Sequence, residues 1–134
     1  MKSIIETKME LIKDRLNTLT NNSNFEYDGM NDNRIFMTEQ LNVHAPALGK
    51  TMYKAMEKKI QKFYIDNDLY TIYASNDVSG FDYWNRDDEN NYIMFACAFK
   101  DVEKLNVDSL DLDKINDDFN ECNNEFEEFE TFPE

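Results

Sequence analysis

The sequence predicts an α+β fold, an antiparallel sheet of about four strands covered by helices. Two observations carry this expectation. Apolar residues recur at helical spacing near both ends of the chain and in its lysine-rich middle, and β-type runs bounded by turn residues lie between those stretches. The coarse order is α-β-β-α-β-β-α, consistent with helices packed on an antiparallel sheet. With 134 residues and 41% apolar composition the chain is expected to form one domain, 1–134, with a real core despite a formal net charge of −14.

The first helix is announced by Ser3 and Glu6, an S-x-x-E capping box that satisfies amide groups left open at a helix start. Ile5, Met9, Ile12, Leu16 and Leu19 then recur at spacings of 4, 3, 4 and 3, which marks one apolar face. Thr20 to Asn24 ends it, because such side chains compete for the backbone. Phe25 to Val43 reads as a β-hairpin. Phe25 and Tyr27 alternate with polar residues, turn chemistry follows at Asp28-Gly29 and Asn31-Asp32-Asn33, and Ile35, Met37, Glu39, Leu41 and Val43 then share a face.

Pro46 suits the first turn of a second helix. Leu48, Met52, Met56, Ile60 and Phe63 form its apolar stripe, Lys50, Lys54, Lys58, Lys59 and Lys62 fill much of the remainder, and Asp66-Asn67-Asp68 stops it. Leu69–Ser75 and Tyr92–Lys100 read as strands; the second is almost continuously apolar, as a central strand covered on both faces would be. The last helix is expected at about 110–129, where Leu112, Ile115, Phe119, Cys122, Phe126 and Phe129 follow an a/d pattern. Residues 130–134 are left as a tail, a candidate for disorder.

Charge is segregated along the chain. Residues 101–134 hold 13 acids and two bases, Lys104 and Lys114, a net of −11, against −3 for residues 1–100. A pole of this strength repels nucleic acid and steers basic proteins toward it. On a helix, Asp113, Asp117, Glu121, Glu125 and Glu128 fall on one side at steps of 4, 4, 4 and 3, with Asp111, Asp118 and Glu127 widening the stripe. Like charges four apart cost roughly 0.2–0.5 kcal/mol each, and Lys114 is the one base available to relieve them. Two readings stand: a solvated face of an acidic protein, or an ordered row of anions imitating a nucleic-acid backbone. Carboxylates four residues apart lie about 6 Å apart along a helix axis, a loose match to the roughly 3.4 Å phosphate step of DNA.

Residues 79–91 interleave Phe81, Tyr83 and Trp84 with Asp82, Arg86, Asp87, Asp88 and Glu89. Trp, Tyr and Arg are enriched at binding hot spots, so Tyr83, Trp84, Arg86, Asp87 and Asp88 are candidate partner contacts. The alternative is a strand whose aromatics plug the sheet. Catalytic and metal chemistry finds little footing. His44 is the only histidine and lies at a strand-to-helix junction, so no His-pair or Cys/His metal site can be built. The run from Asp111 has Ile115 and Asn116 at its fifth and sixth places, where a calcium loop demands an acid and then a glycine. Neither a phosphate-cradling glycine loop nor a nucleophile elbow occurs. No cofactor, no metal and no enzymatic activity is expected.

Cys97 and Cys122 are expected as two reduced, half-buried thiols, a disulfide between them being the minor alternative. No apolar run reaches the 18 or so residues of a membrane span and the N-terminus lacks a signal-peptide stretch, which points to the cytoplasm.

In size and charge layout, the ladder Asp113, Asp117, Glu121, Glu125 and Glu128 with its surrounding acids resembles the small acidic DNA-mimic inhibitors of bacteriophages and mobile elements, anti-restriction and anti-CRISPR proteins among them. The resemblance covers about a quarter of the chain and rests on no family motif. It implies a non-enzymatic inhibitor of a basic nucleic-acid-binding effector or nuclease, making no direct contact with nucleic acid or membrane. Two other readings remain open: an immunity or antitoxin protein that neutralises a nuclease toxin, and a phage or plasmid assembly protein that self-associates. The lysine segment departs from a pure mimic and offers a way to bind a second copy's acidic helix, giving a homodimer.

Overall fold

The computed structural model describes residues 2–27, 29, 33–37, 42–43, 49–62, 64–75, 91–92 and 94–129. These contain helices α1 (Ile4–Thr20), α2 (Lys50–Lys62) and α3 (Leu112–Asn124). The strands are β1 (Phe25–Glu26), β2 (Arg34–Met37), β3 (Asn42–Val43), β4 (Tyr64–Asp66), β5 (Tyr70–Ser75), β6 (Asn91–Tyr92) and β7 (Met94–Phe99). Five strands form one sheet in the order β1-β2-β7-β5-β4, every pair antiparallel, while β3 and β6 pair separately. The α+β class holds, with five strands in the main sheet among the described residues where about four were expected. The extra one, β4, lies where the second helix was expected to end: the β-type pair Tyr64-Ile65 turns extended and pairs Ile65 with Ile72.

Side-chain alternation along β7 explains where the core sits. Phe95, Cys97 and Phe99 point to one face and all have no exposed surface. The register carries that face across the sheet: Phe25, Met37, Phe95 and Ala74 form one row, and Ile35, Cys97, Ile72 and Ile65 the next. All three helices add their apolar stripes to the same cluster, through Met9, Ile12 and Leu16 of α1, Met56 and Ile60 of α2, and Ile115, Phe119 and Cys122 of α3. The ends of two expected stripes lie outside it: Leu19 and Met52 are exposed. On the opposite face Phe36 and Ala96 are also buried, so β7 is covered on both sides at Ala96, as its apolar run predicted.

The first helix starts and stops as its sequence indicates. Ser3 Oγ accepts from the Glu6 amide at 3.1 Å, and Asn21 closes the helix in the left-handed conformation at φ 54°. Asn17 does more than its helical position suggests. Its side-chain amide donates to the Phe25 carbonyl at 3.0 Å and its oxygen accepts from the Phe25 amide at 2.9 Å, occupying the open edge of β1 as a neighbouring strand would. Lys8 donates to three backbone carbonyls, those of Val102, Glu103 and Leu105, at 3.2, 2.6 and 2.9 Å. An ammonium has three N–H groups, and here all three tie α1 to the short 3-10 turn at Val102–Lys104.

The last helix is shorter than expected. It runs from its N-cap Asp111 to Asn124, after which Glu127–Phe129 forms a 3-10 turn. Acids at the C-terminal end oppose the helix dipole, no base occupies the last turn, and Asn123-Asn124 compete for backbone. Phe126 and Phe129 are still buried, because a 3-10 turn returns to the same side every three residues.

Phe119 meets Phe25 edge-on, with ring centres 5.3 Å apart, and joins α3 to the sheet. Phe119→Ala is expected to cost about 3–5 kcal/mol in urea unfolding; a loss below about 1 kcal/mol would show that α3 is held elsewhere.

Candidate functional site

The acidic stretch at the C-terminal end divides into three parts with different surroundings. Asp113, Asp117 and Glu121 are exposed and form no ion pair among the described residues. Each four-residue step turns about 40° around the helix, so the row starts on the side away from the sheet and drifts toward one flank. Glu125 and Glu128, expected on the same helical rod, lie past its end. Both are paired within the chain: Lys59 of α2 lies 3.4 Å from Glu125 Oε2 and 3.3 Å from Glu128 Oε1. The Lys59 ammonium also lies over the Phe126 and Phe129 rings, 5.6 and 5.8 Å from their centres. One lysine of the basic segment thus offsets one of the two charges at the far end of the ladder in cis. Lys50, Lys54 and Lys58 are exposed.

Asp118 is set apart again. Its side chain is only 13% exposed, and its Oδ2 accepts from the Tyr70 hydroxyl at 2.5 Å and from Lys114 Nζ at 2.9 Å, the latter an i,i+4 pair. Lys114 also donates to the Tyr70 hydroxyl at 3.1 Å and lies over the Tyr70 ring. Asp118 is therefore a buried-side partner of the sheet and not a member of an outward row. The hydrogen bonds to Asp118 and then Tyr70 raise the Lys114 pKa above the usual lysine value. Burial first, then the bond to Asp118, raises that of Tyr70.

A cleft of about 450 Å³ opens beside this cluster, between the β4–β5 hairpin and the first turn of α3. Leu69, Leu110 and Ile115 give it an apolar lining, and Asp68, Asp111 and Lys114 line it as well. Sequence reasoning placed Leu69 in a strand and Asp68 in a helix stop, and so missed the cleft. The one signal was an apolar residue directly after turn-forming residues. Among the described residues no group of three or more His, Cys, Asp or Glu side chains is placed to hold a metal ion, and no helix is long and apolar enough to cross a membrane.

Tyr83, Trp84, Arg86, Asp87 and Asp88 lie outside the described residues, as do His44, Pro46 and the tail 130–134. Both cysteines are free and fully buried, deeper than the half-buried state expected. Burial, with Asp118 next in effect, pushes the Cys97 thiol well up; burial, then Asp118, Glu121 and Glu125, pushes Cys122 up to about 12.

The fold and its surface define the class, an α+β domain with three helices on one face of an antiparallel sheet and an acidic, partly unneutralised third helix. No family model, no curated protein and no solved structure matches the chain.

Two outcomes follow from these environments. Tyr70 and Lys114 both titrate above their usual values in the fold, so the stability they carry is complete below about pH 10 and is lost as pH rises through the raised values. The urea midpoint should stay level from about pH 7 to 9 and fall above about pH 10. Tyr70→Phe should cost about 1–2 kcal/mol at neutral pH and flatten that alkaline fall; an unchanged alkaline slope would remove Tyr70 from the account. Thiol labelling of Cys97 and Cys122 with a disulfide reagent should proceed only at the rate of unfolding; fast labelling in native buffer would contradict the burial.

Proposed function

We propose that the protein is a non-enzymatic acidic inhibitor that binds a basic nucleic-acid-binding protein, of the anti-restriction or anti-CRISPR kind, and occupies its DNA or RNA site. The observation that supports this reading is the set Asp113, Asp117 and Glu121, exposed on a packed helix and forming no ion pair among the described residues. Those carboxylates repel one another, and Lys114, the one base of the helix, is paired with Asp118. Two other acids of the ladder share the single charge of Lys59, so the carboxylates left without a counter-charge are concentrated on the exposed side of α3, where a partner can reach them. Ordered anions on a rigid element attract a lysine- and arginine-lined groove and speed encounter with it. In this proposal Tyr83, Trp84, Arg86, Asp87 and Asp88 add specificity, on the strength of their residue types alone. The setting is the cytoplasm of a bacterial or phage-infected cell.

The test is a pull-down from nuclease-treated bacterial lysate at about 0.1 M and 0.5 M salt, since exposed charge pairs are screened over roughly 10 Å at the lower value. A basic nucleic-acid-binding protein should be captured at low salt only, and the purified chain should compete with its nucleic acid. The variant D113K/D117K/E121K should keep the native circular dichroism spectrum and lose competition at least about tenfold, the effect of 1.4 kcal/mol. Equal competition by that variant would end the proposal.

A further inference from the structure

The tip of the β4–β5 hairpin carries an exposed leucine, Leu69. The loop is two residues long, Asp68-Leu69, closed by the Asn67 amide donating to the Tyr70 carbonyl at 3.0 Å. Neither loop residue has a positive φ, so the turn admits an ordinary side chain, and Leu69 stands there half exposed. Its backbone is also held from two sides. The Leu69 amide donates to Asn67 Oδ1 at 2.9 Å, and its carbonyl accepts from the Lys100 amide at 2.8 Å. Lys100 is in turn fixed by Asp66 Oδ1 at 2.7 Å and the Asn67 carbonyl at 2.6 Å. An apolar side chain is thus presented to solvent on a braced turn, next to a cleft of about 450 Å³, a volume in the range of ligand pockets.

The charges around that cleft indicate what fits. Asp68 and Asp111 both line it. Asp111 uses Oδ1 to cap α3, accepting from the Lys114 amide at 3.0 Å, and its second oxygen can accept elsewhere. The ammonium of Lys114 is committed to Asp118 and Tyr70. Across the Leu69–Leu110 ridge a second cleft of about 320 Å³ carries Lys100 and Lys104 beside Asp101 and Asp68. Asp68 and Asp111 outweigh Lys114 by one charge in the first cleft, whereas two acids and two lysines balance in the second, so a cation is favoured in the first. We infer that the first cleft receives a lysine or arginine side chain of the basic partner, its aliphatic stem on Leu69, Leu110 and Ile115 and its charged head at Asp68 and Asp111. Long cationic side chains bury their stems on apolar surface while keeping the head among polar groups, and this cleft supplies both halves. The inference rests on the acidic-inhibitor reading and names the anchor that makes binding more than a meeting of charges.

The test is a titration of the ¹⁵N-labelled full chain with N-acetyl-arginine N-methylamide at low ionic strength, with the citrulline and leucine analogues as controls. Saturable shifts are expected at the amides of Leu69, Leu110 and Lys114, with citrulline, which has nearly the same shape and no charge, about tenfold weaker. Leu69→Ser, half exposed and off the core, should keep the native spectrum and weaken the arginine probe several-fold. Shifts confined to Asp113, Asp117 and Glu121, no saturable shift, or equal binding of citrulline or leucine would each overturn the inference. The two ideas fail separately. A Leu69→Ser chain that competes for the partner as well as wild type removes the cleft alone, while an unaffected D113K/D117K/E121K chain removes the acidic row.

Discussion

Strand β7 hydrogen-bonds to β2 on one side and β5 on the other, so its alternation dictates which residues of three strands share a face. Phe95, Cys97 and Phe99 point one way, and a slip of one residue in either neighbour would turn Ile35 or Ile72 outward. All three helices cover the face that carries Phe95, Cys97 and Phe99. That leaves the outer side of α3, with Asp113, Asp117 and Glu121, exposed, and charge is tolerated there.

Polar side chains hold the pieces together where regular hydrogen bonding stops. Asn17 closes the β1 edge and Lys8 collects three carbonyls from the turn after β7. Surface ion pairs such as Arg15–Asp108, at 2.8 Å, are worth about 0–1 kcal/mol each, so the fold depends on the core and these backbone contacts far more than on its many charges.

Much of this was legible in the sequence. The α1 face from Met9 to Leu16, its cap at Ser3, the hairpin of β1 with β2, and the central position of β7 all follow from spacing and residue type. Less legible was the point where α3 ends, because the a/d spacing to Phe129 fits an α-helix and also an α-helix followed by a 3-10 turn. β4 was hidden by the helical stripe running into it. For the site, the exposure of Asp113, Asp117 and Glu121 followed from helical geometry. The withdrawal of Asp118 toward Tyr70 did not, since that contact spans 48 residues of chain. The cleft at Leu69 and Leu110 was invisible for the same reason: its walls are distant in sequence, and only the folded sheet brings them together.

The place of Lys59 has a consequence for α3 as a unit. A helix ends in a partial negative charge that a nearby base would offset, and α3 has no base in its last turn, with Glu121 inside it and Glu125 at its cap. The missing cation comes from α2, across the core, where Lys59 meets Glu125, Glu128 and two phenylalanine rings. The acidic helix is therefore not a portable module. Grafted onto another scaffold it would carry its self-repulsion along and leave its counter-charge behind.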